Sequence, residues 1–116
     1  MSGSLYKVCT EAAFAEAMSK GSFEGSADDL RDGFIHLSAA HQLRGTLDKH
    51  FTGQTGLVLL EVDANRLGND LKWEPSRGGA LFPHLYAPLD LAAVLFVTKL
   101  ELAKDGSHLL PVEVSA

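Results

Sequence analysis

The hydrophobic and polar positions divide this chain of 116 residues into short apolar segments separated by glycine- and aspartate-rich breaks. Residues 5–9, LYKVC, predict a first strand, and Thr10 stands where an N-cap belongs, ahead of the alanine-rich segment EAAFAEAMSK. Phe14, Ala17 and Met18 fall on one face of the helix this segment predicts. A polar run follows, opened by Gly21 and Gly25 and continued by Ser26, Asp28, Asp29, Arg31 and Asp32; its density of turn formers predicts an irregular loop able to act as a lid. Residues 33–38, GFIHLS, predict a short strand with Phe34, His36 and Ser38 on one side and Ile35 and Leu37 on the other. Leu43, Leu47 and Phe51 then recur every four residues, the spacing of a second helix, which Gly53 ends.

Residues 57–62, LVLLEV, form a nearly continuous apolar run, as expected of a central strand covered on both faces. Asp63 stops it and can cap the turn at residues 64–67. Residues 71–74 predict a strand broken by Pro75, residues 76–79 a flexible loop, and residues 80–86 a further extended piece closed by Pro88. Residues 94–102 predict a long strand, and Asp105-Gly106 marks a hairpin into a last strand over residues 108–114, placed at an edge by Pro111. Strands outnumber helices and lack regular βαβ alternation, so the fold class expected is α+β, a sheet packed by two helices. The length predicts one domain over residues 1–116, with a core at about 5–102 and a C-terminal hairpin strand at 107–114.

Composition narrows the class. Apolar residues make up 46% and charged residues 22%, which excludes a disordered or fibrous chain. No apolar stretch is long enough to span a bilayer and no basic-then-apolar leader opens the chain, so the location expected is cytoplasmic, without a membrane partner. The single cysteine, Cys9, excludes an internal disulfide framework; a helix start just after it can activate a thiol, and a buried structural cysteine is the reading preferred. A net charge of -5 repels a phosphate backbone, so nucleic acid is not an expected partner.

Two segments carry candidate chemistry. His36 interrupts an apolar strand, and can be either a half-buried ring bonded to backbone or a ligand-binding group. Ser38 stands where a helix N-cap belongs, and a helix start also attracts anions. The stretch WEPSRGGALFPHLY, residues 73–86, concentrates Trp73, Glu74, Arg77, Phe82, His84 and Tyr86 around two glycines and two prolines, a composition suited to a rigid binding loop. Arg77 can grip a phosphate or carboxylate with the Gly78 backbone beside it, or pair with Glu74; Glu74 can act as a base or hold a ribose hydroxyl, and Tyr86 or Phe82 can stack on a base. The five histidines show no HExxH spacing, and no GxSxG elbow occurs. His41 and His50 read as helix-surface residues.

At GFIHLSAAHQ, LVLLEVD and WEPSRGGALFPHLY, over about residues 5–100, the sequence resembles a small bacterial domain-of-unknown-function family. That family is in turn similar to the ADP-ribosyltransferase-like superfamily and to the NAD-binding lobe of RNA 2'-phosphotransferases. The resemblance implies bent, split, mainly antiparallel sheets with about two main helices around a cleft for NAD or ADP-ribose, bordered by His36 and Ser38, with Lys7 at the end of the first strand. Superfamily enzymes carry a His in a Tyr-His-Gly-Thr-like context where this chain reads Leu5-Tyr-Lys-Val-Cys9, and no counterpart of the transferase glutamate is visible.

The leading expectation is therefore a cleft for an anionic small molecule or nucleotide, with NAD as the possible cofactor and ADP-ribosyl transfer as the possible reaction. Its catalytic candidates are His36, His84 and Glu74, and its ligand-binding candidates Lys7, Ser38, Arg77, Gly78 and Tyr86. Two further readings stand beside it. One is a non-catalytic module for a protein or small acid, favoured by the altered first strand and the missing acid; the other is an enzyme using His84 and Glu74 as an acid–base pair on a small carboxylic metabolite.

Overall fold

A computed structural model of the chain describes residues 3–111 and Val114. The chain is α+β, with antiparallel sheets and, among the described residues, three α-helices of more than one turn, two of them main. Strand β1 (Ser4–Thr10) leads into α1 (Glu11–Lys20), whose start is fixed by Thr10: its hydroxyl accepts from the Ala13 amide at 3.0 Å. Strand β5 (Leu57–Asp63) lies at the centre of a four-stranded sheet of order β4-β1-β5-β9, with β4 at Ser38–Ala39 and β9 at Val94–Leu100. Strands β3 (Ile35–His36), β7 (Leu81–Leu85) and β6 (Leu71–Pro75) make a second sheet in that order, and β2 (Ser22–Phe23) pairs with β8 (Leu89–Asp90).

Strand alternation sends β1 and β5 into two separate cores. Leu5, Cys9, Val58, Leu60 and Val62 pack against Ala17, Phe23, Ile35 and Leu85 on one face. Tyr6, Val8, Leu57 and Leu59 meet Leu43 and Leu47 of α3 (Ala40–His50) on the other. The apolar run of β5 is thus covered on both sides, as its composition requires, each buried Leu contributing about 1.5–3 kcal/mol. Asp63 caps the following turn, accepting from the Asn65 amide at 3.0 Å.

Four expectations need correction. Met18 is 59% exposed; α1 turns Ala13, Phe14 and Ala17 to the core, a stripe of the same width rotated around the helix from the one predicted. The polar run is not irregular: it holds β2 and a short helix, α2 (Ala27–Asp32), because Ser26 and Asp29 form an N-terminal cap, the Ser26 amide donating to the Asp29 carboxylate at 2.9 Å, and Gly33 closes the helix at φ 86°. The strand predicted at residues 33–38 splits at Leu37 into β3 and β4, which belong to different sheets; Leu37 donates instead to the Pro83 carbonyl. Past Asp105-Gly106 the described residues contain one bridge, Leu102 to His108, not a strand, and Val112 and Glu113 lie outside them.

Candidate functional site

Antiparallel register puts the two histidines singled out above side by side. His36 of β3 stands directly opposite His84 of β7, so both rings leave the same face of the sheet, with centroids 5.7 Å apart. Ile35 and Leu85, one step along, point into the core. Both rings line a cavity of about 260 Å³, together with Lys7, Ser38, Phe82 and the α2 residues Asp28, Asp29 and Asp32. The cavity lies beside β1, where β4 pairs with Leu5 and Tyr6 and extends no further.

Asp29 organises this wall. Its side chain is almost fully buried, and four donors converge on it: Lys7 Nζ (2.8 Å to Oδ2), the His36 amide (3.0 Å), His36 Nδ1 (2.6 Å) and the Ser26 amide. Burial opposes the charge, but the bond from His36 and the Lys7 ammonium outweigh it and hold the carboxyl well below the usual carboxylate range. Lys7 also donates to the His36 carbonyl at 3.1 Å, so its ammonium is spent on the wall. His36 Nε2 reaches Asp32 Oδ2 at 2.9 Å, and Asp32 is in turn bound by Arg31, which lowers its pKa.

His84 is held differently. Glu74, diagonal to it across β6 and β7, takes its Nδ1 at 2.7 Å, and the same oxygen accepts from Tyr86 OH at 2.7 Å. These bonds, Tyr86's first, depress Glu74, and the bond to Glu74 raises the Tyr86 phenol. An ionised carboxylate only accepts, so Nδ1 carries a proton and Nε2 is the nitrogen left for other partners. Phe34 stacks on the His84 ring at 4.0 Å.

Of the residues predicted from sequence, Lys7, His36, Ser38 and His84 line the cavity. Glu74 and Tyr86 stand behind His84 and, with Gly78, are not among the described residues that line it. The side chain of Arg77 lies outside the described residues. Ser38 does not cap α3: its hydroxyl shares a hydrogen bond with Thr46 at 2.8 Å, while the Ala39 amide donates to Gln42 Oε1 at 3.0 Å, because the helix begins one residue later than expected. His50, assigned to the helix surface, is exposed and also borders the cavity. Asp29, Asp32 and Phe34 were not singled out as site residues; the one signal for Asp29 was its place three residues after Ser26. Among the described residues no group of His, Cys, Asp and Glu is placed to hold a metal ion, and no helix is long and apolar enough to cross a membrane.

Residues 8–97 match the family described as Protein of unknown function (DUF952). The chain belongs to the DUF952 family. This DUF952 chain is also similar to solved structures of CC0527 from Caulobacter crescentus. The crystal structure is 50% identical with a TM-score of 0.92, covering 97% of this chain and 99% of that one. The solution structure is 54% identical with a TM-score of 0.81, covering 90% of each. No curated protein matches the chain. All the cavity residues named above except Lys7 fall within the stretch that matches the DUF952 family.

Proposed function

We propose that the cavity walled by β3, β7 and α2 binds a small anionic, nucleotide-like ligand. The observation that carries this reading is the meeting of His36 and His84, 48 positions apart in the chain (84 − 36), on one cavity. With Nδ1 tied to Glu74, His84 can offer Nε2 to a ligand, and the Phe34 stack keeps the ring from turning away. About 260 Å³ is below the roughly 300–1,000 Å³ of sites that enclose drug-sized ligands, so a phosphate, a ribose or a small acid fits better than a whole dinucleotide. The superfamily resemblance extends the reading to NAD or ADP-ribose, one end of which would enter while the rest lay across the open rim, and to ADP-ribosyl transfer as the reaction.

Thermal-shift titration with inorganic phosphate, ADP-ribose and NAD is the test. A true ligand stabilises by about 2.7 kcal/mol at a hundred times its Kd, and His84→Ala removes the response. No stabilisation by any of the three at millimolar concentration overturns the proposal. Nicotinamide release from NAD separates transfer from binding.

A second reading, acid–base chemistry on a small carboxylic metabolite, draws on the 2.7 Å bond between His84 and Glu74. Here Glu74 orients the ring and does not share the cavity with it. Deuterium exchange into a small 2-oxo acid, lost in His84→Ala, supports this reading; exchange no faster than in buffer discards it.

A further inference from the structure

We infer that Asp32 occupies, on His36, the place that the ligand's anionic oxygen takes, so that the ligand and a carboxylate of its own chain compete for one ring nitrogen. This rests on the proposed anion-binding reading and adds to it the group that is displaced.

The two carboxylates on the His36 ring are not equivalent. Asp29 on Nδ1 has a side chain only 1% exposed and is fixed by Lys7 and two backbone amides. Asp32 on Nε2 is 33% exposed, and its other partner is Arg31, itself 68% exposed, whose Nε lies 3.0 Å from Oδ1. Nε2 is the ring nitrogen whose partner, Asp32, is part-exposed and itself lines the cavity, so that bond lies where a ligand can reach it. A ligand oxygen arriving at that nitrogen meets a site already filled by a group of the same chemistry.

Asp32 is also free to leave. Helix α2 buries a single residue, Asp29, and exposes 68% of Leu30, so its last turn has no apolar anchor. Gly33, which follows in the left-handed region at φ 86°, adds no side chain to the turn. When Asp32 gives up His36 it keeps Arg31, so no charge is stranded. The other charged groups around the ring are already committed: Lys7 to Asp29, and Glu74 to His84 and Tyr86. Exchange at Nε2 is thus a swap of one acceptor for another. An exposed ion pair is worth little and a charged hydrogen bond somewhat more, so the internal competitor weakens ligand binding by about three- to tenfold.

The test compares wild type, Asp32→Ala, Asp28→Ala and His36→Gln by calorimetric titration with inorganic phosphate and, separately, acetate. Asp28 is the matched control: it is on the same helix, lines the same cavity and binds Arg31 at 3.2 Å, but has no bond to His36. For whichever anion wild type binds, Asp32→Ala tightens binding by about three- to tenfold, Asp28→Ala changes it by less than about twofold, and His36→Gln abolishes it. A gain in Asp32→Ala no larger than that in Asp28→Ala reduces the effect to net charge and overturns the inference while leaving the binding site standing. Binding of neither anion by wild type or by Asp32→Ala ends both.

Discussion

Replacing Asp29 by Asn keeps the side chain's size and removes its charge, at a position where four donors converge and the residue is 2% exposed. The amide cannot satisfy them. If its NH₂ takes the place of Oδ2 it meets Lys7 Nζ and the Ser26 amide; turned over, it meets the His36 amide and Nδ1. In either orientation the Lys7 ammonium, 5% exposed, becomes a buried charge without a counter-ion. Breaking a buried pair from one side costs about 3–5 kcal/mol, a large part of the roughly 5–15 kcal/mol that holds a domain folded. With an m-value of about 2 kcal/mol/M, a loss of about 4 kcal/mol moves the urea midpoint down by about 2 M. Removing the stranded charge as well, in Lys7→Met with Asp29→Asn, returns part of the loss, since a neutral pair leaves no uncompensated ion.

The same pair shapes the acid limb of stability. The folded Asp29 carboxyl is held below its unfolded value of 3.8, so its contribution is complete above that pH and drains away as the pH falls below it. Wild type therefore loses stability more steeply in strong acid than Asp29→Asn does. Two results would refute the reasoning: an Asp29→Asn variant within about 1 kcal/mol of wild type, or a double variant no more stable than the single one.

Two further outcomes follow from the same wall. Gly25 has φ 124°, and a Cβ there would lie 2.9 Å from the Asp29 Cβ, so Gly25→Ala costs more in thermal unfolding than Gly21→Ala, where φ is 85° but nothing stands within 4 Å. Equal losses would show that the clash with Asp29 is relieved at no cost. Burial pushes the Cys9 thiol up to about 11, with Lys7 opposing and Asp29 adding to the shift, so the native chain resists thiol reagents at mildly alkaline pH and reacts rapidly once unfolded. Prompt stoichiometric labelling of the folded protein would contradict this.

Elements with an apolar signature were legible from the sequence. Thr10 before an alanine-rich run marks α1, and LVLLEV marks the strand buried on both faces, because burial of aliphatic side chains is what fixes these elements. Helix α2 was not, for a specific reason: Ser26, Asp29 and Gly33 are residues of turns and of helix caps alike, and only their spacing separates the two. The hydrophobic period that would normally decide is missing, because the residue α2 buries is an aspartate.

The site was legible to the same extent and no further. His36 stood out as a polar residue in an apolar strand and His84 through the unusual composition of residues 73–86, but their pairing follows from the antiparallel register of β3 on β7, a long-range contact that no local pattern carries. Asp29 is harder still. A buried carboxylate is tolerable only where donors surround it, and here they arrive from β1 at Lys7, from β3 at His36 and from the Ser26 amide beneath it. Its role is visible only once those strands are in place, so the residue on which the wall of the cavity depends was read as one more polar position in a loop. The polar character that hid α2 is also what leaves its last turn without a buried apolar side chain, and so gives Asp32 the freedom to exchange its place on His36.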